Sequence, residues 1–97
     1  MRLALVSMSL GDKMKLKRGD VIRINWVDAG GTGGWKVVNE FKPPKISSVG
    51  QYIKTDKSGV YFAEGIDKND EEQVLKLSFI PHGCIQRLRR LVKYGDE

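Results

Sequence analysis

Val74-Leu75-Lys76-Leu77-Ser78-Phe79-Ile80, then Pro81-His82-Gly83-Cys84, then Ile85-Gln86-Arg87-Leu88-Arg89-Arg90-Leu91-Val92 is the stretch that decides the fold. In its first part Leu75, Leu77 and Phe79 alternate with Lys76 and Ser78, the period of a half-buried strand. Pro81-His82-Gly83 punctuates it as a tight turn. The last part admits two readings. Ile85, Leu88 and Leu91 recur at helical spacing, whereas an extended chain puts Leu88 and Val92 on one strand face. A strand is favoured, because it follows a tight turn and a short return strand can close a barrel.

Upstream the same period recurs. Within residues 21–27, Ile22, Ile24 and Trp26 share one face while Arg23 and Asn25 take the other, after the turn signal Gly19-Asp20. Residues 49–54 and 59–63 are two further strands around the short hairpin loop Thr55-Asp56-Lys57-Ser58-Gly59. The acidic run Asp67-Lys68-Asn69-Asp70-Glu71-Glu72 is a solvated turn before the strand at 74–80. Short strands joined by short turns indicate a mainly β protein, a small barrel or sandwich. Residues 28–48 are an excursion between the first two strands, because Ala29-Gly30-Gly31-Thr32-Gly33-Gly34 resists regular structure and Pro43-Pro44 stops it. Trp35 and Phe41 are expected to anchor that loop. Residues 1–18 suit a short strand or a short helix.

Ninety-seven residues make a single domain. An apolar share of 40% argues against a wholly disordered chain. The longest apolar run, Leu3-Ala4-Leu5-Val6, is too short for a membrane span or a secretory signal. Cys84 is the lone cysteine, which excludes an intrachain disulfide, and with His82 the lone histidine a zinc site is not expected. Seventeen Lys and Arg against 12 Asp and Glu give a net charge of +5, permitting an anionic partner. The expectation is a soluble cytoplasmic protein without metal or cofactor.

Three motifs fail as catalytic or ligand signatures. The glycine cluster is followed by Trp35-Lys36-Val37, not by the Lys-Ser or Lys-Thr and helix of a phosphate loop. His82 and Cys84 lack an orienting third group, so no thiol enzyme is indicated. The acidic turn lacks the residue order of a calcium loop. The basic clusters carry more. Lys13, Lys15, Lys17 and Arg18 form one, and Arg87, Arg89, Arg90 and Lys93 the other. Arg87 and Arg89 would leave an extended chain on one face, where forked guanidinium groups suit phosphates. The plainer alternative is a solvated surface. Tyr52 and Tyr61 flank the hairpin loop as rings for base stacking, or equally as core residues.

Leu77-Ser78-Phe79-Ile80-Pro81-His82-Gly83-Cys84-Ile85 resembles the strand, Gly-containing turn and Ile of the second motif of Sm and Sm-like proteins. The likeness covers residues 13–92. Trp26-Val27-Asp28, Gly34-Trp35, Ser48-Val49-Gly50, Ile80-Pro81 and Ile85 look closer still to small phage-encoded proteins of that kind. The resemblance implies a strongly bent five-stranded antiparallel barrel, non-catalytic, assembling into a homo-oligomeric ring of about five to seven copies that binds single-stranded RNA or acts as an RNA chaperone. It puts Asp56, Tyr52 and His82 near the pore and Arg87, Arg89 and Arg90 on phosphates. Asp56 matches the Asp of the family's RNA-contacting loop, but Ser58-Gly59 supplies no Asn. His82 stands where the family often has a basic residue. The ring would be stitched by two strand edges, Val74, Lys76, Ser78 and Ile80 on one and Ile85, Leu88 and Val92 on the other. The alternative is a phage assembly or protein-interaction module with no nucleic-acid role.

Overall fold

The computed structural model describes residues 15–28, 35, 38 and 42–95. The chain is mainly β: Val21–Val27 (β1), Lys45–Thr55 (β2), Gly59–Ala63 (β3), Gly65–Ile66 (β4), Val74–Leu75 (β5), Ser78–Pro81 (β6) and Ile85–Val92 (β7). No α-helix occurs among the described residues. Five strands form one antiparallel sheet in the order β6-β3-β2-β1-β7, and β4 and β5 form a separate two-stranded pair. The edge strands β6 and β7 are sequence neighbours, joined only by one 3-10 turn, His82–Cys84.

Alternation dictates β1: Ile22 and Ile24 are fully buried while Arg23 between them is exposed. The strand reading of residues 85–92 holds, because β7 puts Ile85 and Leu88 into the same core, with Leu88 opposite Ile24. That core is Ile22, Ile24, Tyr52, Val60, Phe62, Ile80, Ile85 and Leu88. Three bulges interrupt the ladders. Ile53 is unmatched between the Tyr52–Phe62 and Lys54–Tyr61 pairs, Gln86 between Ile85 and Arg87, and Leu91 between Arg90 and Val92. Each bulge moves the following residue to the face that simple alternation denies it.

Four expectations change. β2 starts at Lys45, not Val49, because Ile46 pairs with Trp26 and the Trp26 indole N–H donates to Ser48 Oγ at 3.0 Å. Lys45 to Ser48 therefore belong to the ladder, and the excursion is shorter than residues 28–48. Trp35 anchors nothing, being fully exposed; Phe41 lies outside the described residues. The single strand expected at 74–80 is two, since Lys76 adopts φ +54° between β5, which pairs with β4, and β6, which pairs with β3. Leu75, Leu77 and Phe79 are exposed, whereas Ile80 is buried, so the alternating apolar set there lies outside the core. The choice between strand and helix at residues 1–18 lies largely outside the described residues.

Candidate nucleic-acid interface

The hairpin turn after β2 is built on Asp56. Its Oδ1 accepts hydrogen bonds from the backbone N–H of Ser58 at 2.8 Å and Gly59 at 3.2 Å. The Ser58 N–H holds the carboxyl below the ordinary aspartate value; burial opposes this, while the Gly59 N–H, the Tyr61 hydroxyl and the Lys54 charge reinforce it. His82 docks onto the same turn. Its ring Nε2 donates to the Asp56 carbonyl at 2.7 Å and its backbone N–H to the Ser58 carbonyl at 3.2 Å. Two of the three residues assigned to the pore, Asp56 and His82, are thus in contact. His82 is nonetheless only 6% exposed, and its Nδ1 is buried without a hydrogen-bond partner among the described residues. It is a strut between the 3-10 turn and the hairpin, and its ring does not face solvent. His82→Ala is expected to lower unfolding stability by about 2 kcal/mol, from the lost bond and the vacated volume. A urea midpoint equal to wild type would contradict the strut.

Tyr52 is also displaced from its expected role. It belongs to the core, and its hydroxyl shares a 2.5 Å hydrogen bond with Thr55. Tyr61 is the accessible ring, since Val60 and Phe62 on either side of it turn inward. Of the residues assigned to subunit edges, Ile80, Ile85 and Leu88 point their side chains into the chain's own core. Lys76, Ser78 and Val92 are exposed and Val74 is half-buried.

The arginines divide. Arg87 and Arg89 share the outer face of β7, as their spacing predicts. Arg89 lies directly opposite Arg23 and Arg87 opposite Asn25. None of Arg23, Arg87 and Arg89 has an ion-pair partner among the described residues. Like charges facing each other across a ladder are destabilising, and an anion on that face would relieve the repulsion. Arg90 instead turns inward past the bulge and meets the buried Asp20 at 3.7 Å.

Around that pair the two basic clusters of the sequence converge. Lys15, Lys17, Asp20, Arg90, Lys93 and Tyr94 line a cleft of about 170 Å³. Arg18 points elsewhere, donating to the Glu71 carbonyl, and Lys13 lies outside the described residues. Asp20 is held by the N–H groups of Lys17 (2.9 Å) and Tyr94 (2.7 Å). Its burial raises the carboxyl pKa, but those two bonds and the Arg90 guanidinium outweigh this, and the net shift is downward. Two clusters far apart in sequence cannot be assigned to one cleft from spacing alone, and Arg23 stood out only as the polar side of a strand.

No helix among the described residues is long and apolar enough to cross a membrane. No protein-family model, curated protein or solved structure matches the chain.

Proposed function

We propose that the chain is a non-catalytic, Sm-like ring subunit that binds single-stranded RNA through its outer basic face. The observation that carries the RNA reading is the set Arg23, Arg87 and Arg89, which has no ion-pair partner among the described residues and of which two are directly opposed across β1 and β7. A protein gains nothing in stability from that arrangement, whereas a phosphate backbone matches it by forked hydrogen bonds and counterion release. The basic cleft at the end of β7 extends the same charge. The barrel and ring are supported by edge strands that are sequence neighbours, which favours a sheet curled toward closure. Exposed Leu75 and Leu77 beside one edge, and Leu91 and Val92 beside the other, suit pairing of copies edge to edge. Those same apolar residues favour the second reading, an assembly module that binds only protein.

A fluorescently labelled single-stranded RNA titrated at two salt concentrations separates the readings. Micromolar or tighter binding is expected, falling steeply with salt. In the Arg87→Ala/Arg89→Ala variant the slope of log K against log salt should shrink by about 1.4, the value for two lost single-strand phosphate contacts. No binding by the wild type at low salt would leave the assembly reading. A monomer in light scattering at micromolar concentration would remove the ring.

A further inference from the structure

The outer face that carries the arginines on β1 and β7 continues across β2, β3 and β6. There it presents Lys54, Tyr61 and Phe79 in one cross-strand row, Lys54 opposite Tyr61 and Tyr61 opposite Phe79. The Lys54 ammonium lies 4.8 Å from the Tyr61 ring centroid. The Tyr61 and Phe79 rings are 4.8 Å apart and tilted by 48°. Lys54 lies over the Tyr61 ring; burial raises the Tyr61 pKa, and the Asp56 carboxylate beside its hydroxyl raises it further. Phe79 is 42% exposed on an edge strand, so one face of its ring is open.

Cross-strand packing accounts for the Tyr61–Phe79 contact itself. It does not account for a phenylalanine whose side chain stays 42% exposed on the outer face, a place where backbone pairing of a neighbouring edge would not by itself cover the ring. The geometry points to a base-stacking subsite: an unpaired nucleobase of the RNA lies on the open face of Phe79 beside the Tyr61 ring, with Lys54 next to it for the phosphate. The occupant follows from charge complementarity, because the aromatic pair carries Lys54 over the Tyr61 ring and shares its face with Arg23, Arg87 and Arg89. This inference rests on the RNA-binding reading and adds to it how bases, not only phosphates, are held.

The test compares one labelled 12-nucleotide single-stranded RNA with a strand of equal length lacking its bases. Phe79→Leu keeps apolar bulk on β6 and removes the stacking face. The variant should bind the RNA about tenfold more weakly, within the range measured for loss of one stacked base. Its affinity for the base-free strand and its salt slope should equal those of wild type. Equal binding of the two strands by the wild type would overturn the subsite while leaving phosphate recognition intact. So would equal weakening of both strands in the variant; if the assembly also dissociates in light scattering, Phe79 belongs to a contact between copies. Failure of the wild type to bind RNA at all would sink both the subsite and the RNA reading.

Discussion

Asp20→Ala is expected to destabilise the protein by about 3 kcal/mol, a drop of roughly 15 °C in Tm for a domain of this size. The size of the effect follows from how many segments meet at this carboxylate. Oδ2 accepts from the Lys17 N–H ahead of β1, Oδ1 accepts from the Tyr94 N–H beyond β7, and Arg90 on β7 lies within ion-pair distance. The Asp20 backbone carbonyl meanwhile accepts from the Tyr52 N–H at 2.7 Å, continuing the β1–β2 ladder. Gly19 beside it, at φ +100°, leaves room that the Tyr94 ring fills. Removing the carboxylate strands two backbone donors and takes away the charge that faces Arg90. Arg90 is partly exposed and recovers some solvation, so the figure sits at the low end for a broken buried pair. Asp20→Asn should cost less, since one oxygen still accepts while the new NH2 faces a donor.

The pH dependence has a definite sign. The Asp20 pKa is lower in the folded than in the unfolded chain, so below its ordinary value, near pH 4, the unfolded state binds more protons. The carboxylate's contribution is therefore complete above about pH 4 and fades as pH falls through the depressed folded value. The Tm gap between wild type and Asp20→Ala should be constant from neutral pH to about pH 5 and narrow below pH 4. A gap under about 2 °C at neutral pH would show that the knot at Asp20 holds nothing.

How much of this was legible in the sequence differs from strand to strand. β1 could be read because Ile22, Arg23 and Ile24 alternate without interruption and the strand lies inside the sheet, where one face must be apolar. β7 was resolved only by the turn before it: its two bulges scramble the alternation so that Ile85 and Leu88, three residues apart, both face inward. The mimicry of helical spacing in that segment is the signature of the bulge at Gln86. The bulge at Ile53 had a similar consequence for function. It separates the parity of Tyr52 from that of Lys54, burying the tyrosine read as a stacking ring and leaving Tyr61 opposite Lys54 on the outer face. Bulge positions depend on how two strands meet, which a single strand's sequence does not encode. The break at Lys76 carries no glycine to announce its positive φ. Convergence of Lys15 and Lys17 with Lys93 is likewise a product of topology, since β7 returns beside β1.

Gly59→Ala is the second substitution expected to have a large effect, about 2–3 kcal/mol of lost stability. Gly59 is buried opposite Pro81, where β3 meets the edge strand β6. A methyl group there would run into the Ile80 carbonyl oxygen, lie 2.9 Å from its carbon, and stand 2.8 Å from Phe79 Cε1. The obstructing atoms are mostly backbone, so no rotamer change relieves the overlap. β6 must move off β3. That strand holds Ile80 in the core and, among the described residues, pairs with β3 alone, so separation costs both packing and ladder bonds. The same shift strains the turn, because Gly59 also bonds Asp56 through its carbonyl (3.0 Å) and its N–H (3.2 Å), and His82 is clamped to that turn. Gly83→Ala is the matched control: an added methyl at Gly83 meets nothing within 4 Å, and its stability should stay within about 0.5 kcal/mol of wild type. Urea unfolding of the two variants side by side checks the contrast, and equal midpoints would mean that β3 and β6 are not held as closely as this register requires. Because Phe79 rides on β6, the proposed RNA subsite implies that Gly59→Ala also weakens RNA binding at temperatures where it remains folded, whereas Gly83→Ala leaves it unchanged.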